Sequence, residues 1–99
     1  MTEITIPDSV TTIGIDAFSS TGLTQVVIPE GVTSIGASAF TYCESLTELT
    51  IPGSVRYIGN QAFLGCSNLT YLTVEEGHQP PEMDFRSVFE GCKNMEAIL

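Results

Sequence analysis

The chain has 99 residues, 42% of them apolar and 15% charged, the balance of one ordinary globular domain and not of a disordered segment. Twelve Asp and Glu stand against Arg56, Arg86 and Lys93, for a formal net charge of -9. That sign excludes nucleic acid, whose phosphates need a clustered basic face, and disfavours an anionic membrane surface. The N-terminal text has neither the basic segment nor the apolar stretch of a signal peptide, and no later run approaches a membrane span, so membrane insertion is not expected.

Self-similarity is sought before secondary structure, and it organises the whole chain. The text MTEITIP at Met1 returns as LTQVVIP at Leu23, LTELTIP at Leu46 and LTYLTVE at Leu69, and MEAIL at Met95 opens a further copy. Starts at 1, 23, 46, 69 and 95 define repeats 1–22, 23–45, 46–68 and 69–94 with a partial unit 95–99, so four repeats plus the start of a fifth form a single domain. The break inside the last strand is what a fragment of a longer protein, or an end covered by a partner, is expected to show.

Each unit opens on a strand-like alternation. In the third copy Leu49 and Ile51 face one way while Glu48 and Thr50 face the other. Pro7, Pro29 and Pro52 follow, and proline, which lacks a donor for the ladder, ends the strand and turns the chain. A second apolar pair comes next, Val32 with Ile35 or Val55 with Ile58, then Gly14, Gly36 or Gly59, where a positive φ or a close backbone approach is expected. Around Ala39–Phe40 and Ala62–Phe63 the text predicts one helical turn, with Asp16, Ser38 and Asn60 as caps. The units close through FSSTGL, FTYCESL, FLGCSNL and FEGCKNM. One unit alone buries too little to be stable, so neighbours must stack, with Leu23, Leu46 and Leu69 in one column, Ile6, Ile28, Ile51 and Val74 in a second, and Phe18, Phe40, Phe63 and Phe89 in a third.

The joint recurrence of IP, SV, IG, AF and C at fixed offsets, as in LTELTIPGSVRYIGNQAFLGCSN, resembles the BspA-like leucine-rich-repeat family over nearly the whole chain. The resemblance implies a leucine-rich-repeat solenoid, a right-handed β/α superhelix with a parallel sheet on the concave side and short helical turns. It also implies an extracellular or cell-surface setting in a bacterium, a role in adhesion or host contact, and no shared catalytic site. The fourth unit departs from the pattern: between Val74 and Phe89 it reads EEGHQPPEMDFRSV, three residues longer than its counterpart and without IP or IG. Counting back from Phe89 puts Asp84 where Ile58 sits, so Met83 or Phe85 must fill that core position or the coil must reshape, and a protruding loop is expected.

Candidate chemistry is sparse. Cys43, Cys66 and Cys92 share a column but lack CxxC spacing and a histidine in register, and parallel side chains make poor disulfides. Three buried, reduced thiols are expected. His78 lies near Glu75, Glu76, Glu82 and Asp84, but carboxylates in a proline-rich loop are ordinarily solvated, and a cation site needs several converging oxygens. Asn68-Leu69-Thr70 fits an N-glycosylation acceptor, though Asn68 serves equally to bond the turn. No Ser, His and Asp fall in a triad register. Neither a metal nor a cofactor is expected, and no enzyme.

Two functions compete. One is a non-catalytic binding module of a cell-surface protein for a protein or glycan ligand, since repeat solenoids offer an extended surface. The other is a spacer that extends a larger surface protein. The outward strand columns bear on the choice: Glu3, Gln25, Glu48 and Tyr71 in one, Thr5, Val27, Thr50 and Thr73 in the next. The expected contact centres on Tyr71, with Glu48, Thr50, Thr73, Val27 and Gln25 beside it and the stretch from Glu75 to Asp84 as a rim, because aromatic anchors carry a disproportionate share of binding energy. Uncapped repeat ends are expected to self-associate.

Overall fold

The computed structural model describes residues 3–75, 77, 81–93 and 96–98. Strands β1 (Glu3–Thr5), β3 (Gln25–Val27), β5 (Glu48–Ile51), β7 (Tyr71–Val74) and β8 (Glu96–Ile98) form one parallel sheet in the order β1-β3-β5-β7-β8. Strands β2 (Thr12–Ile13), β4 (Ser34–Ile35) and β6 (Tyr57–Ile58) form a second parallel sheet in that order. Each unit therefore contributes one rung per sheet until the fourth. The first residue of each strand in the large sheet stays in line throughout: Glu3 pairs with Gln25, Gln25 with Glu48, Glu48 with Tyr71, and Tyr71 with Glu96.

Alternation decides which face is buried. Val26, Leu49, Ile51 and Leu72 enter the core, while Gln25, Val27, Glu48, Thr50 and Tyr71 stay outside, as the period of two requires. The prolines then act as the sequence predicts. Val10, Val32 and Val55 each donate a backbone N–H to the carbonyl of Pro7, Pro29 and Pro52 respectively, at 3.0 to 3.1 Å, so the same tight turn follows three successive strands. In the fourth unit Glu75 occupies the proline position, and its N–H donates to Ile51 O at 2.9 Å, a ladder bond that proline cannot make.

The expected helical turns around Ala39–Phe40 and Ala62–Phe63 are corrected. Asp16, Ser38 and Gln61 have φ near +58 to +60°, and Ser20 and Tyr42 have φ of 57° and 56°. Left-handed residues at both ends of the segment prevent a helix. They turn alternate N–H groups toward the next coil, where Ser38, Phe40 and Tyr42 donate to Asn60 O, Ala62 O and Leu64 O at 3.1, 2.7 and 2.6 Å. Asp16 and Ser38 are therefore left-handed residues and not helix caps, and Gln61, not Asn60, is their counterpart. The helix assigned among the described residues is α1 (Phe85–Val88), in the divergent fourth unit, with Asp84 as its N-cap.

The core is a set of columns. Ile6, Ile28, Ile51, Leu23, Leu46, Leu69, Ile13, Ile35 and Ile58 are buried, and the rings of Phe18, Phe40, Phe63 and Phe89 stack with centroids 5.2, 5.2 and 5.6 Å apart, each contact worth about 1 kcal/mol beyond its area. Of the two roles expected at the IG glycines, close approach applies at Gly36 and Gly59, and neither applies at Gly14. A Cβ on Gly59 would meet Ala37 N and lie 2.7 Å from Ala37 Cα. In the fourth unit Ile58 N–H donates to Glu82 O at 3.0 Å and Glu82 N–H to Arg56 O at 2.8 Å. Glu82 is thus bridged beside Tyr57, so the following residue, Met83, takes the place of Ile58 and packs partly buried against the core. Phe85 stays exposed and tilts onto Phe89 at 5.0 Å.

Candidate functional site

The outward side of the large sheet carries the expected contact residues. Gln25 and Val27 come from β3, Glu48 and Thr50 from β5, and Tyr71 and Thr73 from β7, with Glu48 opposite Tyr71 and Thr50 opposite Thr73. Tyr71 is 53% exposed and Val27 72%. A shallow groove of about 260 Å³ lies over this face, and Gln25, Val27, Glu48 and Thr50 line it together with Glu30, Pro52 and Glu75. Tyr71 and Thr73 are not among its lining residues, so the hollow centres on β3 and β5, one strand away from the tyrosine that sequence reasoning places at the middle.

A pairing of Glu30 with Glu75 is not among the sequence-based expectations. Glu30 sits in the turn after Pro29, and Glu75 stands at the proline position two units on. Their carboxyls approach closely enough to share a hydrogen bond, which with slight desolvation and mutual repulsion raises the Glu30 pKa above its ordinary 4.5. The replacement of proline by glutamate in the LTYLTVE text is the signal that could have pointed to it.

The thiols form a regular ladder. Cys43 Sγ donates to Phe18 O, Cys66 Sγ to Phe40 O and Cys92 Sγ to Phe63 O, each at 3.2 Å. Thr21 occupies the cysteine position of the first unit, with its hydroxyl 3.0 Å from Phe18 O and 3.4 Å from Cys43 Sγ. All three cysteines are free; Cys43 and Cys66 are buried as expected, whereas Cys92 is only half-buried, a correction that follows from its place in the last closing turn. The Cys66 thiol is pushed up by its neighbours Cys43 and Cys92 and by burial, which favours the protonated thiol that donates to Phe40 O.

His78 and Glu76 lie outside the described residues, as does part of the expected rim from 75 to 84. Among the described residues no cluster of His, Cys, Asp and Glu is arranged to hold a metal ion, and no helix is long and apolar enough to cross a membrane. Asn68 Nδ2 donates to Glu44 O of the preceding coil at 2.8 Å, the turn-bonding role weighed against glycosylation. A second hollow of about 200 Å³, lined by Ile4, Ile6, Val10, Ile13, Ala17 and Phe18 among others, marks the first-unit end of the core.

A sequence model of the BspA type leucine rich repeat region matches residues 1–99 in six copies, and the chain belongs to that family. The match is denser than the four units and a partial fifth counted from the text. Two solved structures share the fold. A leucine rich repeat protein of T. pallidum is 29% identical with a TM-score of 0.77, over 93% of this chain and 42% of that one. A leucine rich cell surface protein from Faecalibacterium prausnitzii is 26% identical with a TM-score of 0.61, over 96% of this chain and 31% of that one. The chain thus spans less than half the length of either. Among curated proteins, none matches.

Proposed function

We propose that this chain is a non-catalytic binding segment of a bacterial cell-surface protein, and that the outward face of the large sheet is its contact surface for a protein or glycan. On this reading the solenoid is a right-handed superhelix with that face on its concave side. The observation that carries it is the exposure of Val27 and Tyr71 on a parallel sheet beside a groove. A spacer needs no apolar anchor there, and exposed aromatic and apolar anchors are what interfaces use. The cell-surface description of the F. prausnitzii neighbour supports the setting.

The test is binding of immobilised matrix proteins and glycans to the wild-type chain, Tyr71→Ala, Val27→Asp and Tyr57→Ala. Tyr57 is similarly exposed but belongs to the second sheet. Loss in the first two variants with retention in the third is expected. Loss only with Tyr57→Ala would move the contact to the second sheet and reject the strand face, and no ligand at all favours the spacer. The apolar first-unit hollow supports self-association through a repeat end, read as a concentration-dependent mass in light scattering that rises with salt; a constant monomer mass rejects it.

A further inference from the structure

The groove over β3 and β5 is lined by both apolar and acidic side chains. Val27 and Pro52 are among the first, Glu30, Glu48 and Glu75 are the second, and no lysine or arginine lines it. The chain's cations lie elsewhere: Arg56 before β6, Arg86 in α1 and Lys93 in the last closing turn. Glu30 and Glu75 line it from the second and fourth units, close enough that Glu75 raises the Glu30 pKa, a repulsion that a positive group placed between them would relieve.

The chemistry of the complement follows from how the carboxylates are spread. They come from three successive coils and do not converge as a metal cluster among the described residues, whereas a hard cation wants several oxygens on one point. Positive groups carried at intervals along an extended chain suit dispersed carboxylates. Arginine and lysine also bring methylene stems that lie on apolar side chains while their heads reach past them. Resting on the reading that the strand face binds, we propose that this groove takes an extended arginine- or lysine-rich segment of a partner protein, its cationic heads at Glu30, Glu48 and Glu75 and its stems on Val27 and Pro52.

The test uses a fluorescein-labelled peptide alternating arginine and alanine, titrated with the whole chain and followed by anisotropy, with circular dichroism checking that each variant is folded. The double variant Glu30→Gln with Glu75→Gln should weaken binding roughly fivefold, the scale of two lost exposed charge pairs. Glu44→Gln with Glu90→Gln removes the same charge from closing turns outside the groove and should change binding less than about twofold. Equal losses in both double variants would overturn the proposal in favour of attraction by net charge alone, and displacement of the peptide by stoichiometric calcium would overturn it in favour of a metal site. If the peptide does not bind while a matrix or glycan ligand is lost in Val27→Asp and Tyr71→Ala, the strand face stands and its cationic occupant is wrong. If no strand-face variant affects any ligand, both readings fall.

Discussion

The coil at 46–68 closes through Pro52, the tightly packed Gly59 and the left-handed Gln61, whereas the coil at 69–94 has Glu75, Asp84 and the helix α1 in their places, with Met83 standing for Ile58. Both nevertheless present their strand in the same register and their phenylalanine in the same stack. Two parts of a unit are thus fixed by the neighbour, the strand by its backbone ladder and the closing turn by ring stacking and N–H groups such as those of Phe63 and Gly65, which donate to Val88 O and Glu90 O at 2.9 and 2.7 Å. Between them the stack demands only an apolar side chain of suitable volume, which Met83 supplies, and there the chain is free to lengthen. A solenoid of this kind can vary its margin without disturbing its columns.

Substitutions can break that comparison at graded depth. Phe63 stacks on both neighbours and is fully buried, so Phe63→Ala should cost about 3–5 kcal/mol in urea unfolding. Phe85→Ala, on the exposed side of the fourth unit, should cost no more than about 1 kcal/mol for one lost ring contact; equal costs would mean that the fourth unit is as tightly specified as the third. Next in size is Gly59→Ala, which drives a methyl into the backbone of Ala37 and should destabilise by about 1–3 kcal/mol. The equivalent Gly14 has open space around its Cβ direction and no positive φ, so Gly14→Ala should be neutral or stabilising by up to about 1 kcal/mol. A shift of both melting temperatures in the same direction would contradict the close approach as the reason for glycine at 59.

Smaller still is the cap of α1. Asp84 Oδ1 accepts from Ser87 N at a long 3.4 Å, so Asp84→Ala should cost about 0.5 kcal/mol, and a larger loss would show that the helical turn, not Met83, holds the fourth coil in place. The smallest effect is at Glu30. Its folded-state pKa is raised by Glu75, so the folded state retains its proton at pH values where the unfolded chain has released it, and stability declines as pH rises through the range just above 4.5. A carbon-detected titration of Glu30 should move toward the ordinary value in Glu75→Gln, and an unchanged titration would disprove the pairing.

Much of this architecture is legible in the letters because repetition lets one unit explain the others. The columns, the strand faces and the turns after Pro29 and Pro52 follow from alternation and from the missing proline donor. The left-handed residues are not legible: Asp16, Ser38, Gln61, Ser20 and Tyr42 include no glycine to mark them, and the N–H groups of Asp16, Ser20, Ser38 and Tyr42 are turned to carbonyls of the next coil. Burial of Cys43 and Cys66 follows from their shared column, but their bond to the phenylalanine carbonyl of the preceding coil depends on the stacking offset, which letters do not give. At the candidate site the six outward residues can be assigned to their strands, while the groove and the Glu30–Glu75 approach depend on turns two units apart, beyond what pattern within one unit can show.

Residue-by-residue amide hydrogen exchange tests most directly the claim that the fourth unit is a full coil in register despite its divergent text. Glu75, Phe63 and Gly65, whose N–H groups bond between the third and fourth units, and Glu82, bonded to Arg56 O, should be protected to an extent comparable with Ser38, Phe40 and Tyr42 between the second and third. Exchange of the first group at the rate of open loops, with the second group protected, would contradict that claim.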